Sequence, residues 1–239
     1  TGIQAAPVIA SQAEHLTVFQ RTANYSVPAQ NHPLTPEFKQ WIKSNADEIR
    51  TLTRETLNGQ AFRISEKSAL ATPAEEREKI YEQAWEYGGL QFRAAFQDMM
   101  ASKEANDTAA DFVKRKIRSI VKDPKTAALL SDIDHPYAAK RPPIDTGYFE
   151  TFNRPNVSLV DVRSAPIQRI DENGIVTADG SYPVDIIVFA TGFDALTGPL
   201  LKLNLRGRDG IAPRARRRSS WHRSCGSRGW SRCSVRPSH

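Results

Sequence analysis

Two short clusters in this chain combine cationic and hydroxyl side chains in a way that suits an anion. Lys140-Arg141-Pro142 sets two cations side by side, an arrangement that costs repulsion unless anions answer it. The following proline fixes the loop, and neighbouring side chains on a loop can diverge. One cation could therefore take a phosphate and the other a different negative charge. The second cluster is Gln20-Arg21-Thr22, where a guanidinium and a hydroxyl suit a phosphate dianion and no carboxylate lies nearby. Taken alone, each cluster reads first as ordinary solvated surface charge. His135, just ahead of Pro136, invites a general-base role. The sequence sets no catalytic partner beside it, and it reads as an ordinary loop histidine.

Strands must carry these residues. Leu16-Thr-Val-Phe19 is β-branched and apolar, and it delivers Arg21 at its carboxyl end. Before it, Thr1 to Ala10 reads as a helix with Ile3, Val8 and Ile9 on one face, small Ala5 and Ala6 for close packing, and a kink at Pro7. A helix followed by a strand looks like a βαβ unit without its first strand and most of its glycine loop. In such a unit an acid at the end of the second strand accepts from the 2′-hydroxyl of NAD, whereas Arg accommodates the 2′-phosphate of NADP. Further on, Asp185 to Asp194 runs four apolar residues, Ile186 to Phe189, into Ala190-Thr191-Gly192. That pattern predicts a buried strand ending in a turn, the place where open α/β sheets bind ligands.

Residues 34–130 are helical in pattern. Thr35-Pro36 is a cap followed by proline at the first helical position, with Phe38, Trp41, Ile42, Ile49 and Leu52 at helical spacing. Thr72-Pro73-Ala74-Glu75 reads as a capping box ahead of Ile80, Tyr81, Ala84, Trp85 and Tyr87. Ala109 to Val121 places Phe112, Val113, Ile117, Ile120 and Val121 on one face and stops at Asp123-Pro124. Trp41, Trp85 and Phe92 are expected in the core. Val157 to Val162 is a further strand. Ile167–Ile170, Ile175–Thr177 and Tyr182–Val184, separated by Asn173-Gly174 and Asp179-Gly180, predict a three-stranded meander.

Composition splits the chain. Net charge is +6, but residues 211–239 hold eight Arg, no Lys and no acid, and removing those eight charges leaves −2 for residues 1–210. Arg and Ser make up 15 of those last 29 residues, without apolar periodicity, so the segment is not expected to pack. A solvated tail and a nucleic-acid-binding arm are possible readings; a reading-frame error is favoured, because lysine vanishes as arginine soars. Cys225 and Cys233 lack the partners of a zinc site, and no metal is expected. No apolar stretch is long enough to span a bilayer. The chain is expected to be cytoplasmic and to look cut at both ends.

The segments Thr1-Gly-Ile-Gln4, Thr17 to Pro28, Lys140-Arg-Pro142, Tyr148 to Val157 and Ala190 to Gly198 occur in this order along the chain. Together they resemble the type I Baeyer–Villiger monooxygenases over residues 1–210. The resemblance implies a Rossmann-like α/β flavoprotein with two dinucleotide-binding domains, of which this chain is a fragment carrying a helical insertion and a three-stranded β-meander. The implied divisions are a partial NADP-binding unit (1–33), the insertion (34–130), the return of the NADP domain with the Lys-Arg-Pro loop (131–165), the meander and Ala-Thr-Gly strand of the FAD domain (166–210), and the tail (211–239).

By that resemblance Thr1, Gly2 and Gln4 are the remnant of the NADP phosphate loop. Arg21, Thr22 and Lys140 hold the 2′-phosphate. Arg141 is the active-site arginine, and Thr191, Gly192, Phe193 and Asp194 lie on the FAD side. The implied chemistry uses FAD, NADPH and O2 to turn a small-molecule ketone into an ester or lactone, with no nucleic-acid or membrane partner. Arg141, a permanent cation, would stabilise the anions formed on the way. The departures are substantial: no Gly-x-Gly-x-x-Gly occurs anywhere in the chain, nor does the family's Phe-x-Gly-x-x-x-His motif. The chain alone is therefore expected to be inactive. A related flavin-dependent N-hydroxylase, another two-nucleotide flavoprotein, or a non-catalytic basic-tailed binding fragment remain as alternatives.

Overall fold

The computed structural model describes residues 2–56 and 59–192, with 202, 203 and 206. It divides into one unit ending at Val188 and a second beginning at Phe189. The first unit starts with helix α1 (Gly2–Gln12) and strand β1 (Leu16–Gln20). Pro7 sits inside α1, and the buried positions are Ala6 and Ala10, one turn apart. Val8, expected on the buried face, is exposed, because backbone packs closest where side chains are smallest. Strand β1 pairs in parallel with β4 (Val157–Asp161), Leu16 opposite Val157 and Gln20 opposite Asp161. Asn156 joins the two, donating from its amide to the carbonyls of Ala10 and Ala13, while Leu16 N–H donates to its own carbonyl.

A second parallel pair is only two residues long: β2 (Val27–Pro28) against β3 (Ile144–Asp145). Between them runs the helical region. Helix α2 (Pro36–Ser44) begins as expected, with Thr35 Oγ1 accepting from Phe38 N–H. Asn45 then ends it by bonding back to the Trp41 carbonyl, and α3 (Ala46–Glu55) follows as a separate helix. Neither helix has a buried residue, and Trp41 is 53% exposed, stacked on Phe38 at 5.8 Å. The expectation that Trp41 lies in the core is corrected; nothing among the described residues packs over that face.

Helix α4 (Ala74–Tyr87) has no side-chain cap, because the Thr72 hydroxyl donates to the Ser68 carbonyl. The predicted capping box is thus replaced by a local turn, in which Asp98 accepts from Ser68 Oγ and the Ala69 N–H. A 3₁₀ turn (Gly89–Ala94) leads into α5 (Lys103–Ile120), which starts six residues earlier than its apolar pattern announces. The core forms here. Tyr81 meets Phe96, Phe112 and Phe92 at 5.1, 5.3 and 5.4 Å, with Trp85 edge-on to Phe92 and Phe112. Asp123-Pro124 opens a further helix, α6 (Pro124–Ser131), capped by Asp123. A four-residue helix, α7 (Tyr148–Thr151), follows β3.

The meander is present as β5 (Ile167–Asp171), β6 (Gly174–Thr177) and β7 (Ser181–Pro183), antiparallel throughout. Gly174, with φ of 139°, lets the backbone come so close that a Cβ would sit 2.1 Å from the Tyr182 carbonyl oxygen. Residues 184–192 do not form the expected strand, and Ile186 and Val188 are 80% and 58% exposed. A strand gains its stability from ladder partners, and no described segment pairs with these residues. No helix among the described residues is long and apolar enough to cross a membrane.

The two aromatic groups should respond differently to truncation. Phe92→Ala is expected to cost about 3–5 kcal/mol in urea unfolding, because it empties a fully buried site. Trp41→Ala should stay within about 0.5 kcal/mol of wild type, as an exposed side chain does.

Candidate functional site

The Lys140-Arg141 loop is rooted in the fold from both sides. Before it, Tyr137 N–H donates to Asn106 Oδ1 at 2.8 Å, and Asn106 Nδ2 returns a bond to the Tyr137 carbonyl at 3.0 Å and another to Met99. Asn106 and Tyr137 are both buried. The Tyr137 ring lies edge-on to Tyr25 and Phe92, at 5.3 and 5.4 Å, and burial pushes its hydroxyl well above the usual tyrosine range. Tyr25 donates its own hydroxyl to the His135 carbonyl and is pushed up to about 12, mainly by burial.

After the loop, Val27 N–H donates to the Pro143 carbonyl and Ala29 N–H to the Asp145 carbonyl. Ser26, fully buried, donates its hydroxyl to Asp145 Oδ2 and lies 3.3 Å from the Pro143 carbonyl. The other carboxylate oxygen of Asp145 accepts from Tyr148 N–H at the start of α7. Burial raises the Asp145 carboxyl above the usual carboxylate range, against the lowering pull of those hydrogen bonds. Both anchors are supplied by one stretch of chain, residues 24–29, or by the core beneath it. The cations themselves are exposed, while Pro142 is buried.

Arg21 and Thr22 follow β1 directly. Gln20 is held by its amide on the Leu129 carbonyl and by Val162 N–H on its own carbonyl, so Arg21 leaves a fixed strand end. Among the described residues, Arg21, Lys140 and Arg141 have no carboxylate partner, although surface Lys and Arg elsewhere pair repeatedly. Gly2 opens α1, whose first turn presents free N–H groups suited to an anion. The Gln4 amide reaches within 3.5 Å of the Ile144 carbonyl, linking that turn to the far side of the loop. Thr191 and Gly192 belong to the second unit, where Gly192 has φ of 86°. Thr1, Phe193 and Asp194 lie outside the described residues.

His135 is not the isolated loop residue the sequence suggests. Its Nδ1 is 3.0 Å from Asp134 Oδ1 and its Nε2 is 3.0 Å from Asn24 Oδ1. Asn24, Ser26, Asn106 and Asp145 were not among the residues singled out from sequence. A signal existed for one of them: Asn106 shares an apolar helix face with Ala109, Ala110 and Val113, where an unpartnered amide would be costly.

Arg21, Thr22 and Lys140 carry the cationic and hydroxyl groups that suit a phosphate. The sequence contains no Gly-x-Gly-x-x-Gly turn of the kind that cradles the phosphates of FAD.

No family model matches the chain. It is 43% identical over 218 residues to a Baeyer-Villiger monooxygenase of Pseudooceanicola batsensis, covering 90% of this chain and 39% of that protein. It is 42% identical over 216 residues to cyclohexanone 1,2-monooxygenase of an Acinetobacter species, covering 89% and 39%. Phenazine N-monooxygenase PhzNO1 of Lysobacter antibioticus is 40% identical over 213 residues, covering 88% and 39%. The crystal structure of OTEMO in complex with FAD and NADP matches with a TM-score of 0.87 at 38% identity, over 90% of this chain and 40% of that one. The chain thus spans about two fifths of the length of the curated relatives it matches.

Asp145 offers a test of the loop anchor. Asp145→Ala, which leaves the Ser26 hydroxyl and Tyr148 N–H without their acceptor, should cost about 1–3 kcal/mol in urea unfolding. Because its carboxyl is raised, the folded chain holds that proton more tightly than the unfolded chain does. Wild type should therefore lose stability, relative to Asp145→Asn, as pH rises from the ordinary aspartate range through the raised value. A difference that grows in the opposite direction would contradict this.

Proposed function

We propose that the chain, at about two fifths of its relatives' length, belongs to the Baeyer–Villiger monooxygenases and carries their recognition of NADPH and their active-site arginine. The observation that carries this reading is the pair of exposed cations, Arg21 and Lys140, which form no salt bridge among the described residues and stand on hydrogen-bonded supports, Arg21 next in sequence to Thr22. A 2′-phosphate gives both cations an anion, and no carboxylate follows β1 to accept from the 2′-hydroxyl of NAD. Thr1, Gly2 and Gln4 are assigned to the nucleotide's pyrophosphate, Gly2 and Gln4 standing at the first turn of α1. The cofactor, when bound, supplies a hydride.

We assign Arg141 to the reaction rather than to the nucleotide phosphate. Its guanidinium keeps its charge across the working pH range, so it stabilises developing negative charge without surrendering a proton. In the whole enzyme we assign FAD to the oxygen chemistry that converts a ketone with O2 to an ester or lactone. By the resemblance we assign Thr191, Gly192, Phe193 and Asp194 to the flavin side of the whole enzyme. The domain divisions at 33, 130, 165 and 210 and a cytoplasmic location belong to the same proposal.

A second reading is favoured by one comparison: the similarity to a phenazine N-monooxygenase matches that to ketone-oxidising relatives. The residues assigned here handle a nucleotide and a negative charge, and both reactions need those. Oxygen transfer to nitrogen is the alternative.

Two measurements test the proposal. In calorimetric titrations of the full chain, Arg21→Ala and Lys140→Ala should each weaken NADP⁺ by roughly tenfold or more and leave NAD⁺ unchanged, as loss of a hydrogen bond to a charged group requires. Equal effects on both nucleotides would refute the assignment. The purified chain should also lose all flavin absorbance on desalting, and a retained flavin band would contradict the expectation that this chain does not hold FAD by itself.

A further inference from the structure

His135 and Asn24 bridge the two supports of this site, and no residue of the bridge touches the nucleotide as assigned above. Asn24 lies three residues beyond Arg21, on the segment leaving β1; His135 lies five residues before Lys140. Their side chains meet at 3.0 Å, and the Tyr25 hydroxyl donates to the His135 carbonyl at 3.1 Å. The His135 side chain is only 10% exposed and stands edge-on to Tyr25 at 5.5 Å. From the sequence alone these residues are more than a hundred positions apart; in the fold they form a direct polar link between the Arg21 segment and the Lys140 segment.

The chemistry of the bridge is constrained. A carboxylate only accepts, so Nδ1 of His135 carries the proton it donates to Asp134. In the neutral ring Nε2 must then accept, from the Asn24 amide turned about its terminal torsion; in the charged ring it donates to the Asn24 carbonyl oxygen. Either way both ring nitrogens are used, and the imidazole cannot rotate without breaking two bonds. The Asp134 carboxyl is held below the usual range first by this hydrogen bond, with Lys140's charge adding to it.

We propose that His135 is a positioning residue for NADPH selection: it sets the spacing of Arg21 and Lys140 through Asn24 and so fixes preference for a 2′-phosphate. The inference rests on the nucleotide reading given above. A phosphate held by two cations on separate segments is sensitive to their separation, because charge-assisted hydrogen bonds weaken steeply off their ideal distance.

The test uses the full chain and two probes, adenosine 2′,5′-bisphosphate and adenosine 5′-monophosphate, titrated calorimetrically. Wild type should prefer the bisphosphate. His135→Gln places an amide where Nε2 lies and should keep most of that preference. His135→Asn and Asn24→Ala, which cannot span the gap, should each lower it by roughly fivefold, the worth of one hydrogen bond, with the monophosphate unaffected. Combining Asn24→Ala with His135→Asn should add little further loss. Equal behaviour of the Gln and Asn variants, or additive losses in the double variant, would overturn the bridge while leaving the nucleotide site standing. If wild type shows no preference between the probes, the nucleotide reading fails and the bridge fails with it. Thermal unfolding of each variant separates loss of preference from loss of fold.

Discussion

A single buried amide organises the region that matters most. Asn106, on the packed face of α5, bonds both the N–H and the carbonyl of Tyr137, as a neighbouring strand would. An amide in an apolar core is costly unless its hydrogen bonds are met, and here the backbone of one loop residue meets them. That exchange gives the Tyr137 peptide one place to be. The Tyr137 ring then fills the gap between Tyr25 and Phe92, and residues 134–139 are carried into register with the segment leaving β1.

From this fixed point the loop bearing Lys140 and Arg141 has little freedom. Its exit is caught by the β2–β3 pair and by the buried Ser26–Asp145 bond, and Pro142 and Pro143 leave few conformations between. The exposed cations form no salt bridges among the described residues, so the backbone beneath them is stabilised by other contacts. Here that stabilisation comes from the aromatic core of α4 and α5 and from short parallel pairing. The same logic explains why the insertion is helical. Its inner helices supply the core, while α2 and α3 contribute no buried residue.

Much of this was legible beforehand, for identifiable reasons. Leu16–Phe19, the apolar stripe of α5 and the Asn-Gly and Asp-Gly turns depend on local pattern, and the structure contains them. What failed depends on distant partners. Trp41 looks like a core residue until one sees that nothing among the described residues covers it. Ile186 to Phe189 has the composition of a central strand, yet a strand exists only beside its neighbours. The cation clusters were readable because like charges in sequence demand an explanation. Their supports were not: Asn24, Ser26, Asn106 and Asp145 are ordinary polar residues until the fold buries them or brings their partners across.

The Lys140-Arg141 loop is rigid at both roots. Native-state amide hydrogen exchange tests it directly. The N–H groups of Val27, Ala29, Tyr137 and Tyr148 are all committed to the loop or its anchors and should exchange only with global unfolding. If those four exchange as readily as exposed amides of the loop itself, the roots open independently of the core, and the account of how this chain holds its cations is wrong.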